Sequence, residues 1–205
     1  SIQGETMTAG FPSVFVRLAG CNLDCAYCDT AYARDTGTAM DMGAVMREIE
    51  QYPSADHVTV TGGEPMLQKN TPTLCALLLG NGLEVLLETN GSVSLAEVPA
   101  GVVKIMDCKT PSSGEAGSLL EDNFRFLGPR DEIKFVVSDR ADFDYSLDLI
   151  RRLGLEKITG NLLFSPAWGA LDPAELVGWM LSAKTRGRLN LQLHKIIWGP
   201  DKKGV

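Results

Sequence analysis

Three cysteines within eight residues, Cys21-Asn22-Leu23-Asp24-Cys25-Ala26-Tyr27-Cys28, constrain this chain more than any other feature. They spell Cys-x3-Cys-x2-Cys and follow Ser13-Val14-Phe15-Val16-Arg17-Leu18, a β-branched and aromatic run that ends at Gly20 and reads as a strand. Any fold that accepts this sequence must gather three thiols at a strand end. Cys75, in an apolar helical stretch, and Cys108, between Asp107 and Lys109, read as structural, buried thiols. Five cysteines are too few for a disulfide scaffold, and odd in number. Clustered thiols without secretory features point to a metal site in a reducing cytoplasm. Structural zinc normally takes four protein ligands, and a cubane iron–sulfur cluster usually takes four Cys. Three thiolates leave one metal position open, as a catalyst requires. The cysteines alone leave two other readings standing. One is a zinc knuckle completed by Cys75, Cys108 or a distant His, and the other a redox pair at Cys25 and Cys28.

The remaining pattern is β/α. Strands are expected at His57–Thr61, Glu84–Glu88, Val102–Met106, Ile133–Val137, Leu162–Phe164 and Leu189–Leu193. Helical spacing covers Met42 to Tyr52, Thr73 to Leu79 and Tyr145 to Leu153, and Asp172-Pro173 opens a further helix through Ala183. Strands alternating with helices predict a parallel α/β sheet. About seven strands fall short of a full eight-fold barrel, so the expectation is an open, partial TIM-like β/α barrel, with residues 1–205 as one domain. Ligands of such sheets collect at the carboxyl ends of the strands. Thr110 to Leu120 is Ser/Gly-rich and reads as a mobile loop. A net charge of −7 and pI near 4.9 give no footprint of a general nucleic-acid or anionic-membrane binder. There is no apolar run of ~18 residues for a membrane span and no signal peptide, so the expected location is cytoplasmic.

Further segments carry chemistry. Gly62-Gly63-Glu64-Pro65 follows the second strand, where glycines let a ligand approach the backbone and its exposed amides and carbonyls. Arg17 interrupts an apolar strand and needs a partner or an anionic ligand. Gln3 and Glu5 read as exposed polar residues of a turn, and Gln192-Leu193-His194-Lys195 as the close of the last strand. The aromatic Tyr27 before the last cysteine, with the Gly-Gly-Glu motif one β/α unit on, resembles the radical S-adenosylmethionine (SAM) superfamily. Together IQGE, FVRLAGCN, CDT, TGGEP, ETNGS and QLHK resemble the 7-carboxy-7-deazaguanine synthase family across essentially the whole chain.

That resemblance implies a reduced radical SAM barrel whose Cys21, Cys25 and Cys28 hold a [4Fe-4S] cluster. SAM would chelate the fourth iron and yield a 5′-deoxyadenosyl radical on one-electron reduction. The implied reaction contracts 6-carboxy-5,6,7,8-tetrahydropterin to 7-carboxy-7-deazaguanine with loss of ammonia, toward queuosine and other 7-deazapurines. Ile2, Gln3 and Gly4 would contact the pterin, Arg17 would clamp its carboxylate, and Thr61 would touch it. Thr30 would ligate Mg²⁺. Gly63, Asp107, Lys109 and the Ser165–Trp168 turn would surround SAM, and His194 and Pro200 would help close the pocket. A homodimer and a flavodoxin- or ferredoxin-like electron donor are implied as partners.

Two departures stand out. Members of the family commonly read Gln-Gly-Glu-Gly where this chain has Thr6 after Glu5. Some end at the position of Pro200, whereas here Asp201-Lys202-Lys203-Gly204-Val205 follows. The runner-up reading is a glycyl-radical-enzyme activating protein. It shares the three-Cys loop, but usually follows the last Cys with His-Asn rather than Asp29-Thr30.

Overall fold

A computed structural model describes residues 1–203. Among these described residues seven strands form one sheet in simple sequential order, every pairing parallel. They are β1 (Ser13–Leu18), β2 (His57–Gly62), β3 (Glu84–Thr89), β4 (Val103–Asp107), β5 (Glu132–Val137), β6 (Leu162–Pro166) and β7 (Arg188–Leu189). The helices are α1 (Met42–Ile49), α2 (Thr71–Gly80), α3 (Arg140–Leu153), α4 (Pro173–Ala183) and α5 (Leu193–Trp198). Sequential parallel order without closure is the partial barrel that the β/α rhythm predicts.

Parity along each strand separates the layers. On β5, Phe135 and Val137 join Phe143 and Ile150 of α3 in the apolar core, while Lys134 and Val136 face the opposite side. A period of two makes this unavoidable, so a polar residue at the parity opposite the apolar core, such as Arg17, Thr61, Glu88, Asp107 or Lys134, marks the barrel interior. Helix ends follow their capping residues. The Asp139 carboxylate accepts from Asp142 N, so α3 starts at Arg140, five residues ahead of the expected Tyr145. Asp172 accepts from Ala174 N with Pro173 in the first turn, as expected. α1 stops at Ile49, so Tyr52 lies beyond it and is exposed.

Two expectations about the chain's course are corrected. Gln192–Lys195 does not close the last strand. Asn190 N still donates to Phe164 O at 2.9 Å, but the chain then leaves the sheet because Leu193 N bonds Gly4 O at 2.9 Å, and α5 begins. Nor is 110–120 a loose loop. It folds into two 3-10 turns, Pro111–Ser113 and Ala116–Ser118, pinned by Ser113 Oγ to Thr110 O at 2.6 Å.

The N-terminal residues reach across the barrel interior. An antiparallel bridge pairs Ile2 with Pro12, making a hairpin. From it Gln3 Nε2 reaches Thr59 Oγ1 of β2 (3.2 Å), Thr6 N reaches Asn190 Oδ1 beyond β7 (3.1 Å), and Met7 N reaches the Glu132 carboxylate of β5 (2.9 Å). Thr6 holds φ at +65°, the left-handed region that glycine enters freely and β-branched residues avoid. Its hydroxyl bonds Thr8 Oγ1 at 3.0 Å and accepts from Thr8 N at 3.2 Å, which offsets that strain.

Candidate active site

The three thiols are brought together by backbone packing at the carboxyl ends of β1 and β2. Gly63 N donates to Leu18 O (3.1 Å) and Glu64 N to Gly20 O (2.8 Å). The strands approach so closely that a Cβ on Gly62 would lie 2.0 Å from Leu18 O, and one on Gly63 2.2 Å from Gly20 O and 2.7 Å from the Cys21 Cβ. The Gly-Gly pair is therefore fixed by its contact with the cysteine loop as well as by any ligand. Glu64 does not face the cavity. It is fully buried and accepts from Thr89 Oγ1 (2.9 Å), Asn90 N (2.7 Å) and Met66 N (2.9 Å). Asn90 in turn donates to Asn22 Oδ1 (3.3 Å), and Asn22 to Ser92 Oγ (2.9 Å), so the ETNGS turn holds the cysteine loop from one side. From the other side the 110–118 segment supplies Ser113 O to Ala26 N (3.0 Å) and Glu115 Oε1 to Asp24 N (2.8 Å). Three sequence motifs are one mechanical unit.

Cys21, Cys25 and Cys28 are free, half-buried, and open into one cavity of about 1290 Å³. That exceeds the ~300–1,000 Å³ usual for one small ligand and accommodates a cofactor beside a substrate. Cys75 and Cys108 lie elsewhere in the core, fully buried. Burial pushes the Cys75 thiol up to about 12 and raises Cys108 further, so both are inert thiols rather than completing ligands. No group of three or more His, Cys, Asp or Glu side chains is already arranged around a metal position among the described residues. The donor set is nonetheless of the right kind for an iron–sulfur cluster with one open iron: among the described residues, three unpaired thiols and no fourth cysteine line the same cavity. The zinc-knuckle reading finds no assembled four-ligand set among the described residues: His57 sits at the far end of β2 against Glu84 and Phe11, and His194, though it lines the same cavity, forms no metal-holding group with the thiols.

The other expected site residues converge on the same cavity, with one exception. Ile2, Gln3, Gly4, Arg17, Thr30, Thr61, Gly63, Asp107, Lys109, Trp168, His194 and Pro200 all line it. Ser165 does not. It is buried in β6, where its hydroxyl accepts from Asn190 Nδ2 at 2.9 Å, so the turn meets the cavity through Ala167 and Trp168 instead. Arg17 is exposed to the cavity, stacks 6.0 Å from the Tyr32 ring and has no carboxylate partner among the described residues. Gln3 is 2% exposed, against the expectation of an exposed turn residue, and its side chain is spent on Thr59, Glu88 and the Glu5 amide. Asp107 Oδ1 is buried without a hydrogen-bond partner, while Oδ2 accepts from Lys109 Nζ at 3.0 Å.

Sequence reasoning missed the charges that line the floor. Lys134 Nζ lies 2.8 Å from Glu5 Oε2 and 3.6 Å from Asp107 Oδ2. Glu88 accepts from Thr61 Oγ1 (2.9 Å) and from Gln3 (3.1 Å). Lys195 Nζ holds Asp29 at 2.7 Å, and Gln192 Nε2 reaches both Glu5 (2.9 Å) and Asp29 (3.3 Å). Burial would raise the Glu5 and Asp107 carboxyls. The ammonium groups beside them, Lys134 for Glu5 and Lys109 with Lys134 for Asp107, outweigh that and hold both below the ordinary range. Glu88, buried beside Glu5, is raised instead. The available signal was local: Lys134 and Glu88 interrupt apolar strands and Glu5 follows Gly4, whereas Asp29 and Lys195 carried no such mark.

Known proteins agree with this geometry. The sequence model of the Radical SAM superfamily matches residues 15–105, the segment from β1 to β4. A 7-carboxy-7-deazaguanine synthase of Koribacter versatilis (strain Ellin345) is 42% identical, the alignment covering 100% of this chain and 96% of that protein. Another, of Chlorobaculum tepidum, is also 42% identical over 100% of this chain and 94% of its own length. The crystal structure of QueE from Escherichia coli shares the fold, with a TM-score of 0.78 over 95% of this chain and 91% of that one at 23% identity. Streptococcus suis SuiB bound to S-adenosylmethionine shares it more distantly, with a TM-score of 0.62 over 88% of this chain and 50% of that one. With likeness of this depth running from end to end and the thiol loop built as that chemistry demands, the chain belongs to the 7-carboxy-7-deazaguanine synthase family of the radical SAM superfamily.

Proposed function

We propose that this chain contracts 6-carboxy-5,6,7,8-tetrahydropterin to 7-carboxy-7-deazaguanine with loss of ammonia, by radical hydrogen abstraction on the route to queuosine or another 7-deazapurine. The observation that carries this reading is the single cavity into which the three free thiols, the Gly62–Gly63 backbone and the unpaired Arg17 guanidinium all open. A [4Fe-4S] cluster on Cys21, Cys25 and Cys28, with SAM on its open iron, would supply the radical. The protein's part is binding and placement. Arg17 meets the substrate carboxylate as a bidentate partner and fixes the ring's distance from the radical source. Ile2 and Gly4 wall the pterin, with Gln3 as the internal brace, since its own polar groups are already engaged. Thr61 and Glu88 present a hydrogen-bonded pair to the same space. On the SAM side, Gly63 offers backbone, Trp168 covers the rim, and the unpartnered Asp107 Oδ1 awaits a donor from the ligand.

Mg²⁺ fits at Thr30, whose hydroxyl lies 3.9 Å from Cys28 Sγ and lines the cavity. Asp29 is committed to Lys195, so one hydroxyl oxygen is the protein's share and substrate and water would complete the shell, this ion's ordinary habit. The N-terminal hairpin lines the cavity from the side of Glu5 and Lys134, and the first turn of α5 and the segment at Pro200 line it as well, together keeping water from the reacting carbon. In this reading the chain works as one domain in a cytoplasmic homodimer with a small flavodoxin- or ferredoxin-like reductant. Among the described residues no helix is long and apolar enough to cross a membrane. The glycyl-radical activase reading is set aside, because its protein substrate has no use for Arg17 and the Gln3–Glu5 turn inside the cavity. Ammonia release tests the function: it should require the pterin, SAM and reductant together, and ammonia-free turnover would overturn the assignment.

A further inference from the structure

Lys134 stands where two halves of the cavity meet. It projects inward from β5, paired in register with Asp107 on β4, and its side chain is 13% exposed. Its ammonium lies 2.8 Å from Glu5, which belongs to the turn that walls the substrate side, and 3.6 Å from Asp107 on the SAM side. Glu88 of β3 is a third carboxylate acting on the same ammonium. A lysine buried this deeply is normally forced toward the neutral form, and one charge among three carboxylates is what keeps it ionised. The relation is reciprocal. Without that charge, Glu5, Glu88 and Asp107 would share a poorly solvated space with Lys109 alone to balance them, and at least one would take up a proton.

We propose, resting on the function above, that Lys134 is a positioning residue that couples the substrate and SAM halves of the site, fixing Glu5 and Asp107 at once through a shared ammonium. It touches neither ligand in this account. Its effect passes through two anchors on different elements, so disturbing either anchor changes the affinity of the other half. Such coupling is a free energy between sites and runs equally in both directions. The charged and titratable groups that face Lys134 are Glu5 from the hairpin, Glu88 from β3, Asp107 from β4 and Asp29 from the cysteine loop, with Glu132 on its own strand. Lys109 follows Asp107 as the competing cation.

The test measures SAM and pterin binding separately on anaerobically reconstituted wild type, K134M, K134R and E5Q. At about pH 8, K134M should weaken both ligands by roughly fivefold or more. That loss should shrink toward about pH 6, because a proton on one carboxylate replaces the missing charge. K134R keeps the charge and should recover most of both affinities. Should K134M not fold, E5Q alone decides: altering the substrate turn should change SAM affinity by roughly threefold or more through Lys134. Loss confined to one ligand, loss independent of pH, or SAM affinity untouched by E5Q overturns the proposal. Should wild type show this coupling but form no 7-carboxy-7-deazaguanine, the functional assignment fails while the role of Lys134 stands.

Discussion

Gly4 and His194 touch only because position 4 has no side chain: a Cβ there would lie 2.3 Å from the His194 Nδ1. The contact seats the first turn of α5 on the N-terminal hairpin, with Leu193 N bonded to Gly4 O, and both residues face the cavity. Alanine at position 4 must therefore push the imidazole aside, a local overpacking costing ~1–3 kcal/mol. The G4A variant should lose roughly 10- to 100-fold in kcat/KM for the pterin, because His194 and the hairpin wall shift together. Wild-type kinetics in G4A would remove this contact from the site.

Arg17 separates substrate capture from radical generation. In R17A, kcat/KM for the pterin should fall by ~10²-fold or more, while SAM cleavage without substrate continues near the wild-type rate. Lysine should restore little, since a point charge cannot reproduce the planar fork. Measuring 5′-deoxyadenosine with and without pterin distinguishes the two steps. Equal loss of both would make Arg17 structural.

The hairpin should also respond to pH through Glu132. Burial pushes this carboxyl up to about 7, although both its oxygens accept from Met7 N at 2.9 and 3.1 Å. A carboxyl whose folded value lies above its unfolded value of about 4.3 stabilises the fold below that pH and loses the contribution as pH rises through about 7. E132Q stays neutral and has no such loss. Between about pH 5 and pH 8 the unfolding free energy of wild type should fall by roughly 2–3 kcal/mol relative to E132Q. Equilibrium urea unfolding at both pH values measures the difference, and parallel curves would contradict it.

Thr6 balances strain against hydrogen bonds. Glycine there would relieve the left-handed backbone by about 1 kcal/mol and forfeit the hydroxyl's bonds to Thr8, worth about the same, so T6G should be near neutral. Valine keeps the strain and leaves Thr8 N without its acceptor, so T6V should be less stable by about 1–3 kcal/mol. Thermal unfolding of wild type, T6G and T6V side by side decides this: T6V as stable as wild type would show that the hydroxyl contributes nothing, and T6G no more stable than T6V that the strain contributes nothing.

The seven strands and the thiol loop were legible in the sequence because their determinants are local. Period-two runs such as Ile133–Val137 and the Gly62-Gly63 pair announce themselves within a few residues. The charged floor was not legible, because Glu5, Asp107 and Lys134 become neighbours only when the hairpin enters the barrel. The same long-range contacts explain the two misread segments. Residues 110–118 look like a Ser/Gly linker until Ser113 and Glu115 find the cysteine loop, and Gln192–Lys195 has strand composition but is drawn off the sheet by Gly4. Ser165 was placed correctly in the chain and wrongly at the cavity wall: it pairs in register with the cavity-lining Val136, but its buried hydroxyl is taken up by Asn190.

The central claim is that one cavity holds a radical source beside a carboxylated pterin. Its most direct test is anaerobic incubation of the reconstituted protein with SAM, a reductant, Mg²⁺ and 6-carboxy-5,6,7,8-tetrahydropterin, followed by mass measurement of the product. The expected product is 7-carboxy-7-deazaguanine, lacking the ring nitrogen released as ammonia; because loss of ammonia is the whole mass change, the hydrogen atom abstracted must be returned before the product leaves. Recovery of intact pterin alongside 5′-deoxyadenosine would contradict it.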